Sequence, residues 1–383
     1  MKTSTDRILT THVGSLPRSK AVTDCVFAHE HGKEQDQAAF AKTIRDAVAD
    51  VVEKQAEASV DIVSDGEMSK ISYATYIKDR ITGFEGDSPR TPPADLEEFP
   101  GFLERQASSG GTPTYTRPCC VGPIAVKSMQ PLQDDLDNFS AALDGAEVAE
   151  GFMNAASPGV IALFQPNSHY ATQEEYLEAL AEAMRPEYEA IVEAGYILQL
   201  DTPDLGLGKH MMFKDEPEEN YEKLAMTHVE ALNHALRNVP SDRVRMHICW
   251  GNYEGPHHHD APMSMVMPVA LKAKPQAILF ENSNPRHGHE WAEVAEMDIP
   301  DDKILIPGVI DSTTNFIEHP ELVAQRIERF ADIVGKERVI AGSDCGFSTF
   351  AGFGAVDEDI VYAKLASMAE GAELASKRLW SAG

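Results

Sequence analysis

VRMHICW, residues 244–250, is a short apolar run that carries His247 and Cys249 two positions apart near its end. A run of this length and composition reads as a β-strand. In a strand, side chains two apart point to the same side, so these two can grip one ion together. AILFEN (277–282) repeats the pattern, with Glu281 directly after the apolar residues, and RVIAGSDC (338–345) ends on Cys345. Two thiolates, an imidazole and a carboxylate make a borderline-soft donor set that suits tetrahedral zinc. No pair has the CxxC spacing of a structural zinc finger. Ligands spread over three strand ends describe a site assembled by the fold, as catalytic metals are held.

Outward from this core, apolar β-rich runs alternate with amphipathic ones along the whole chain. Strands are predicted near 8–14, 60–67, 117–124, 196–201, 244–250, 277–282, 303–310 and 338–345. Helical period marks 37–58, 174–194, 221–239 and 321–335, three of them closed by Gly195, Pro240 and Gly335. Eight strands with intervening helices predict an α/β fold, a single (β/α)8 TIM barrel over residues 1–383, with active-site residues at the C-terminal ends of its strands. All four proposed ligands fall at such ends. Residues 83–115, rich in Pro, Gly and acid, and residues 150–170 exceed ordinary connections and are expected to be inserted lids or binding loops.

Composition narrows the class. With 383 residues, 43% hydrophobic and 25% charged, the chain can bury one large core or two modest ones. A formal net charge of −29 argues against a nucleic-acid partner, because phosphate binding needs clustered Lys and Arg. No apolar stretch is long enough for a bilayer, and the opening MKTSTDRILT lacks the apolar core of a signal peptide. Five irregularly spaced cysteines suit a reducing compartment, so a cytoplasmic location without membrane contact is expected. Nothing in the sequence fixes an oligomeric state.

Each site residue has a bland alternative. A cysteine in an apolar run is more often a small buried hydrophobe. An acid directly after AILF, by contrast, is costly to bury without a partner. Ser15 after THVG, Glu67 at the end of VSDGE and Asp201 at the end of LQLD sit at strand ends on the same predicted face. A hydroxyl and two carboxylates there can grip the carboxylate and ammonium of an amino acid, although turn and N-cap chemistry would also account for such residues. The run PHHHD (256–260) is read as a solvated loop near the site, not as a second metal site.

These residues resemble the catalytic domain of cobalamin-independent methionine synthase and its shorter relatives. The likeness runs through TTHVGSLPR (10–18), SDGE (64–67), VGP (121–123), AGYILQLDTPDL (194–205), HIC (247–249), FEN (280–282), GVID (308–311) and SDCG (343–346), in the family's order. It implies zinc on His247, Cys249, Glu281 and Cys345, and homocysteine contacts at Ser15, Glu67 and Asp201. It also implies methionine biosynthesis by methyl transfer to that thiol. Three departures stand out. Thr202 replaces an acid in the family's DEPA-type segment, Thr313 replaces a histidine that serves the folate leaving group, and no tryptophan follows VGP. The large synthase's additional N-terminal barrel has no counterpart expected here. Asp311, or one of His257, His258 and His259, is the nearest candidate for the missing proton donor. The stretch GVIDSTTNFIEHPELVAQRI also looks like epoxyalkane:coenzyme M transferases, which activate a thiol on zinc for a different electrophile.

The expectation is therefore a zinc-dependent thiol alkyltransferase whose partners are a small-molecule thiol and an alkyl donor. Homocysteine is the leading thiol. An anionic thiol such as coenzyme M is the alternative and would need cations, with Arg18, Lys70 or Arg286 as candidates. A non-enzymatic protein with a closed zinc site is the third reading.

Overall fold

The computed structural model describes residues 1–34, 36–89, 92–108 and 116–381. Among the described residues ten strands follow in chain order: β1 (Leu9–Thr10), β2 (Ile62–Val63), β3 (Phe84–Glu85), β4 (Cys119–Cys120), β5 (Glu150–Ala156), β6 (Ile197–Asp201), β7 (Val244–Ile248), β8 (Ala277–Phe280), β9 (Ile304–Ile310) and β10 (Ile340–Ser343). Eight form one sheet in the order β1-β10-β9-β8-β7-β6-β5-β2, and every pairing in it is parallel. A parallel bridge between Thr11 and Ile62 joins the two ends. The sheet is thus a (β/α)8 barrel with all C-terminal strand ends on one rim.

The strands are nearly continuous apolar runs because both faces are covered. Inside the barrel, Leu9, Ile62, Phe152, Ile197, Leu279, Ile306 and Ile340 pack on one another. Outside it, helices bury one stripe each. Gln37–Glu57 turns Ile44, Val48, Val51, Val52 and Gln55 inward, and its N-cap Asp36 accepts hydrogen bonds from the Ala38 and Ala39 N–H groups. Pro320–Val334 does the same with Val323, Ala324, Ile327, Phe330 and Val334, and stops at Gly335, whose φ of +88° suits glycine. Gln173–Glu193 and Tyr221–Ala235 complete the set of helices expected from periodicity.

Arg245 places a charge in the barrel interior. Arg245 is fully buried, donating from Nε to Gln199 Oε1 (2.7 Å), from one terminal nitrogen to Thr11 Oγ1 (2.9 Å) and from the other to the His12 carbonyl (2.9 Å). Its guanidinium stands 3.6 Å from the Phe152 ring centroid. These contacts offset the desolvation that brings its pKa down to about 9.

Two expectations need correction. The run around 117–124 is not a barrel strand: β4 pairs antiparallel with β3 in a separate two-stranded sheet. The missing barrel strand is β5, inside the stretch read as a long connection, and Pro158–Phe164 follows it as a helix capped by Ser157. Residues 150–170 are therefore part of the barrel and not an insertion. β5 reads EGFMNAA, and its small residues and Asn154 hide a strand that is buried on both faces.

The other long stretch does leave the barrel. From β3 it continues into helices Ala94–Glu97 and Pro100–Ser108, while residues 90, 91 and 109–115 lie outside the described part. Asp95 anchors this excursion to the loop after β7, accepting from the Tyr253 hydroxyl (2.9 and 2.8 Å) and the His257 N–H (2.9 Å). Among the described residues, no helix is long and apolar enough to cross a membrane.

Candidate metal and thiol site

The C-terminal rim surrounds a cavity of about 790 Å³. Its floor holds Ser15, Glu67, Asp201, His247, Cys249 and Cys345, and its upper walls hold Tyr73, Leu96, Leu103, Phe164, Phe350 and Phe353. Charged and sulfur groups lie deep, with an apolar and aromatic vestibule above them.

His247 is the penultimate residue of β7, two residues before Cys249, and Cys345 follows β10. Their ligand atoms all lie within 4.8 Å of one another, and all three residues are buried. The two sulfurs stand 3.6 Å apart. Neither ring nitrogen of His247 has a hydrogen-bond partner, although the ring is buried. Burial, with Arg245 adding to it, lowers the His247 pKa to about 3, so the imidazole is neutral and keeps a lone pair. An orphaned buried imidazole is costly unless something completes it. Cys249 is pushed up by its hydrogen bond with Cys345 and by burial. For Cys345, the hydrogen bond from Cys249 lowers the pKa, but burial and the charge of Glu281 outweigh it. These groups suit a soft divalent cation.

Glu281 is buried at the end of β8, outside this group of three. Its oxygens accept from the Trp250 N–H (2.9 Å) and from Asn284 Nδ2 (2.8 Å). Burial and the neighbouring Cys249 raise its pKa well above the usual carboxyl range. Asp344 supports this corner by accepting from the backbone N–H groups of Asn282, Ser283 and Asn284, each at 2.8 Å. Thr202 clamps the metal-strand side, donating from N and Oγ1 to the His247 carbonyl, both at 2.8 Å.

The proposed amino-acid contacts come together beside the sulfurs. Asp201 accepts from Asn154 Nδ2 (3.2 Å to the nearer oxygen), yet burial and the charge of Glu67 raise its pKa to about 7. Glu67 has the left-handed φ of +58°, and Arg18 pins its backbone by donating to its carbonyl (2.6 Å). Its Oε2 has no hydrogen-bond partner, and the Lys70 ammonium lies 3.8 Å away. Behind Glu67, the His12 Nε2–Gln55 Oε1 contact (2.7 Å) and the bond from the Gln55 amide to the Ser64 carbonyl (2.8 Å) lock the turn in place. Gly14 has φ +142°, and a Cβ there would come within 2.1 Å of Asn154 Oδ1. That glycine is what lets the Asn154 amide reach the Val13 carbonyl (2.9 Å) and Asp201 together.

Asp311 does not join this group. It lies off the cavity lining, and its carboxylate accepts from Thr313 N (3.1 Å), Thr313 Oγ1 (2.9 Å) and Thr314 Oγ1 (2.5 Å). It shapes a turn. His257 faces Asp260 (2.9 Å) and the Tyr253 carbonyl (2.8 Å), while His258 and His259 both meet Glu98 outside the cavity. The reading from sequence missed Asn154, hidden in the unrecognised β5. It also missed the vestibule phenylalanines of FSTFAGF (347–353), whose clustering just after Cys345 was a usable signal.

Comparison with known proteins agrees with this architecture. The family described as cobalamin-independent synthase, catalytic domain, matches residues 8–89 and 160–373. A methionine synthase of Saccharolobus solfataricus is 27% identical over 376 residues, covering 97% of this chain and 95% of that protein. One from Saccharolobus islandicus is 28% identical over 380 residues with the same coverage. Among solved structures, a B12-independent methionine synthase from Shewanella sp. W3-18-1, in complex with selenomethionine, superposes with a TM-score of 0.73 at 18% identity, covering 98% of this chain and 99% of that one. A putative vitamin-B12-independent methionine synthase from Listeria monocytogenes gives 0.65 at 20% identity, covering 96% and 98%. These structural likenesses bear on the fold, and the family match carries the assignment: the chain belongs to the cobalamin-independent synthase family, as a member of its catalytic domain.

Proposed function

We propose that the protein is a zinc-dependent thiol methyltransferase that converts homocysteine to methionine. The observation that carries this reading is the convergence of His247, Cys249 and Cys345, with both His247 nitrogens orphaned, on the floor of the cavity that also holds Glu67 and Asp201. His247, Cys249 and Cys345 would hold the ion. Glu281 would be a fourth donor if its bonds with the Trp250 N–H and Asn284 were exchanged for the ion. Zinc at this position supplies the positive charge that lets a thiol lose its proton at neutral pH, which a free thiol with a pKa of ~8.5 does poorly.

The chain's own residues do the rest. Glu67 and Asp201 receive the substrate ammonium, and Ser15 receives its carboxylate. Asp201 arrives at that task partly protonated, so the ammonium displaces a proton and restores the charge there. Asn154 donates to Asp201 and the Lys70 ammonium lies beside Glu67, and the apolar walls exclude water from the reacting sulfur. The main catalytic contribution is alignment of sulfur and electrophilic carbon.

Coenzyme M is disfavoured by the same floor. Arg18 is committed to Ser348 and to the Glu67 carbonyl, Lys70 donates to the Asn154 carbonyl, and Arg286 does not line the cavity. Two carboxylates facing the substrate would repel a sulfonate. A closed structural zinc site is disfavoured by the open cavity above the donors. The test is to incubate zinc-loaded protein with homocysteine or coenzyme M and a panel of alkyl donors, reading the alkylated thiol by mass spectrometry. Methionine is the expected product, and alkylated coenzyme M without methionine would overturn the assignment.

A further inference from the structure

The sequence PHHHD resolves into two halves that face opposite ways. His257 adopts a left-handed φ of +52° and turns inward to Asp260. The next two histidines are thereby turned outward onto one carboxylate. His258 Nε2 lies 3.0 Å from Glu98 Oε2, and His259 Nε2 lies 2.5 Å from Glu98 Oε1. Their rings stand 4.2 Å apart, and Phe99 packs edge-on against His258 at 5.5 Å.

We propose that Glu98, His258 and His259 form a second metal site, for a borderline divalent cation such as zinc, which straps the excursion over residues 92–108 to the loop after β7. The donor chemistry is two imidazoles and a carboxylate, with water free to complete the shell. Tetrahedral ligands at ~2.05 Å from an ion are roughly 3.3 Å apart, so the observed spacing needs only small side-chain shifts. Both rings are exposed, which lets each move its proton to Nδ1 and present the Nε2 lone pair. The two segments are already docked by Asp95, which accepts from Tyr253 and His257, so the donors meet at a fixed spacing. Leu96 and Leu103 of one segment and Tyr253 of the other line the same cavity as Cys249 and Cys345, so an ion here would hold that part of its wall in place. A further group, His289, Glu290 and Glu293, is less suited: Glu290 caps Met263 N and meets His287, while Glu293 caps Ser264 N.

Cobalt(II) titration tests the site without reference to the enzyme's activity. Metal-free protein should bind two equivalents: one with the near-ultraviolet charge-transfer band of thiolate ligation, and a weaker one without it. His258→Ala/His259→Ala should bind one equivalent and keep the thiolate band in full. In the wild type, the second equivalent should slow amide hydrogen exchange in residues 94–104, and in the double variant it should not. A single equivalent in the wild type, an unchanged count in the variant or loss of its thiolate band would overturn the site. Unchanged exchange on metal addition would overturn the strap.

Discussion

The sulfurs of Cys249 and Cys345 stand 3.6 Å apart although 96 positions separate the residues in the chain. A disulfide would bring them to about 2.05 Å. Two sulfurs at ~2.3 Å from one tetrahedral ion would be roughly 3.8 Å apart. The pair thus stands near the spacing of shared metal ligands and far from that of a disulfide, on two strands whose C-terminal ends share the barrel rim.

Metal content follows from this pair. Cys249→Ser and Cys345→Ser should each lose most of the thiolate-bound zinc while leaving the barrel folded, because either change removes one soft donor and adds no strain. Elemental analysis with circular dichroism checks both halves. Full retention of that zinc in both variants would remove the ligand assignment.

Asp201→Asn should weaken homocysteine binding far more than zinc binding. Losing a charge-assisted hydrogen bond costs about 1.5–3 kcal/mol, roughly one to two orders of magnitude in affinity. Calorimetric titration of the zinc-loaded variant would show it, and an unchanged affinity would mean that the ammonium sits elsewhere.

The same residue predicts a pH effect. Burial and Glu67 hold Asp201 near 7, so in metal-free protein it should lose its proton around neutrality, seen as a carboxyl infrared band absent from Asp201→Asn. The folded state binds a proton there that the unfolded chain releases near ~3.9, so this group's stabilising contribution is full at low pH and is lost as pH rises through 7. A bound cation should move the midpoint down, since positive charge favours the ionised form. A carboxyl titrating at ordinary values in the metal-free protein would contradict the burial argument.

Methyltetrahydrofolate should be a poor donor. Its nitrogen leaves badly unless protonated, and general-acid assistance is typically worth ~10²–10⁴-fold. The resemblance to the family places Thr313 where a histidine would serve as proton donor, and Thr313 is tied to Asp311. The candidates to replace it are committed elsewhere: Asp311 to Thr313 and Thr314, His257 to Asp260, and His258 and His259 to Glu98. Steady-state rates with methylfolate, methylcobalamin and a simple epoxide would rank the donors, and fast turnover with methylfolate would show that another acid serves.

Much of this was legible in the sequence, for identifiable reasons. VRMHICW and AILFEN stand out because a polar residue closing an apolar run is expensive to bury without purpose, and such runs in a parallel barrel have both faces covered. EGFMNAA did not read as a strand: Gly, Asn and Ala carry little β-propensity, and its burial comes from neighbours that local sequence does not reveal. RPCCVGPI had the composition of a strand, but its partner β3 lies in the excursion and not in the barrel. Asp311 looked available because one-dimensional reading shows a residue's position and not the turn that uses up its oxygens.

X-ray absorption at the zinc edge tests the central claim most directly, using the His258→Ala/His259→Ala protein so that one site dominates. The expected shell has two sulfur and two nitrogen or oxygen neighbours without substrate, and three sulfurs after homocysteine is added. A shell without sulfur, or one that homocysteine leaves unchanged, would contradict thiol activation at this site.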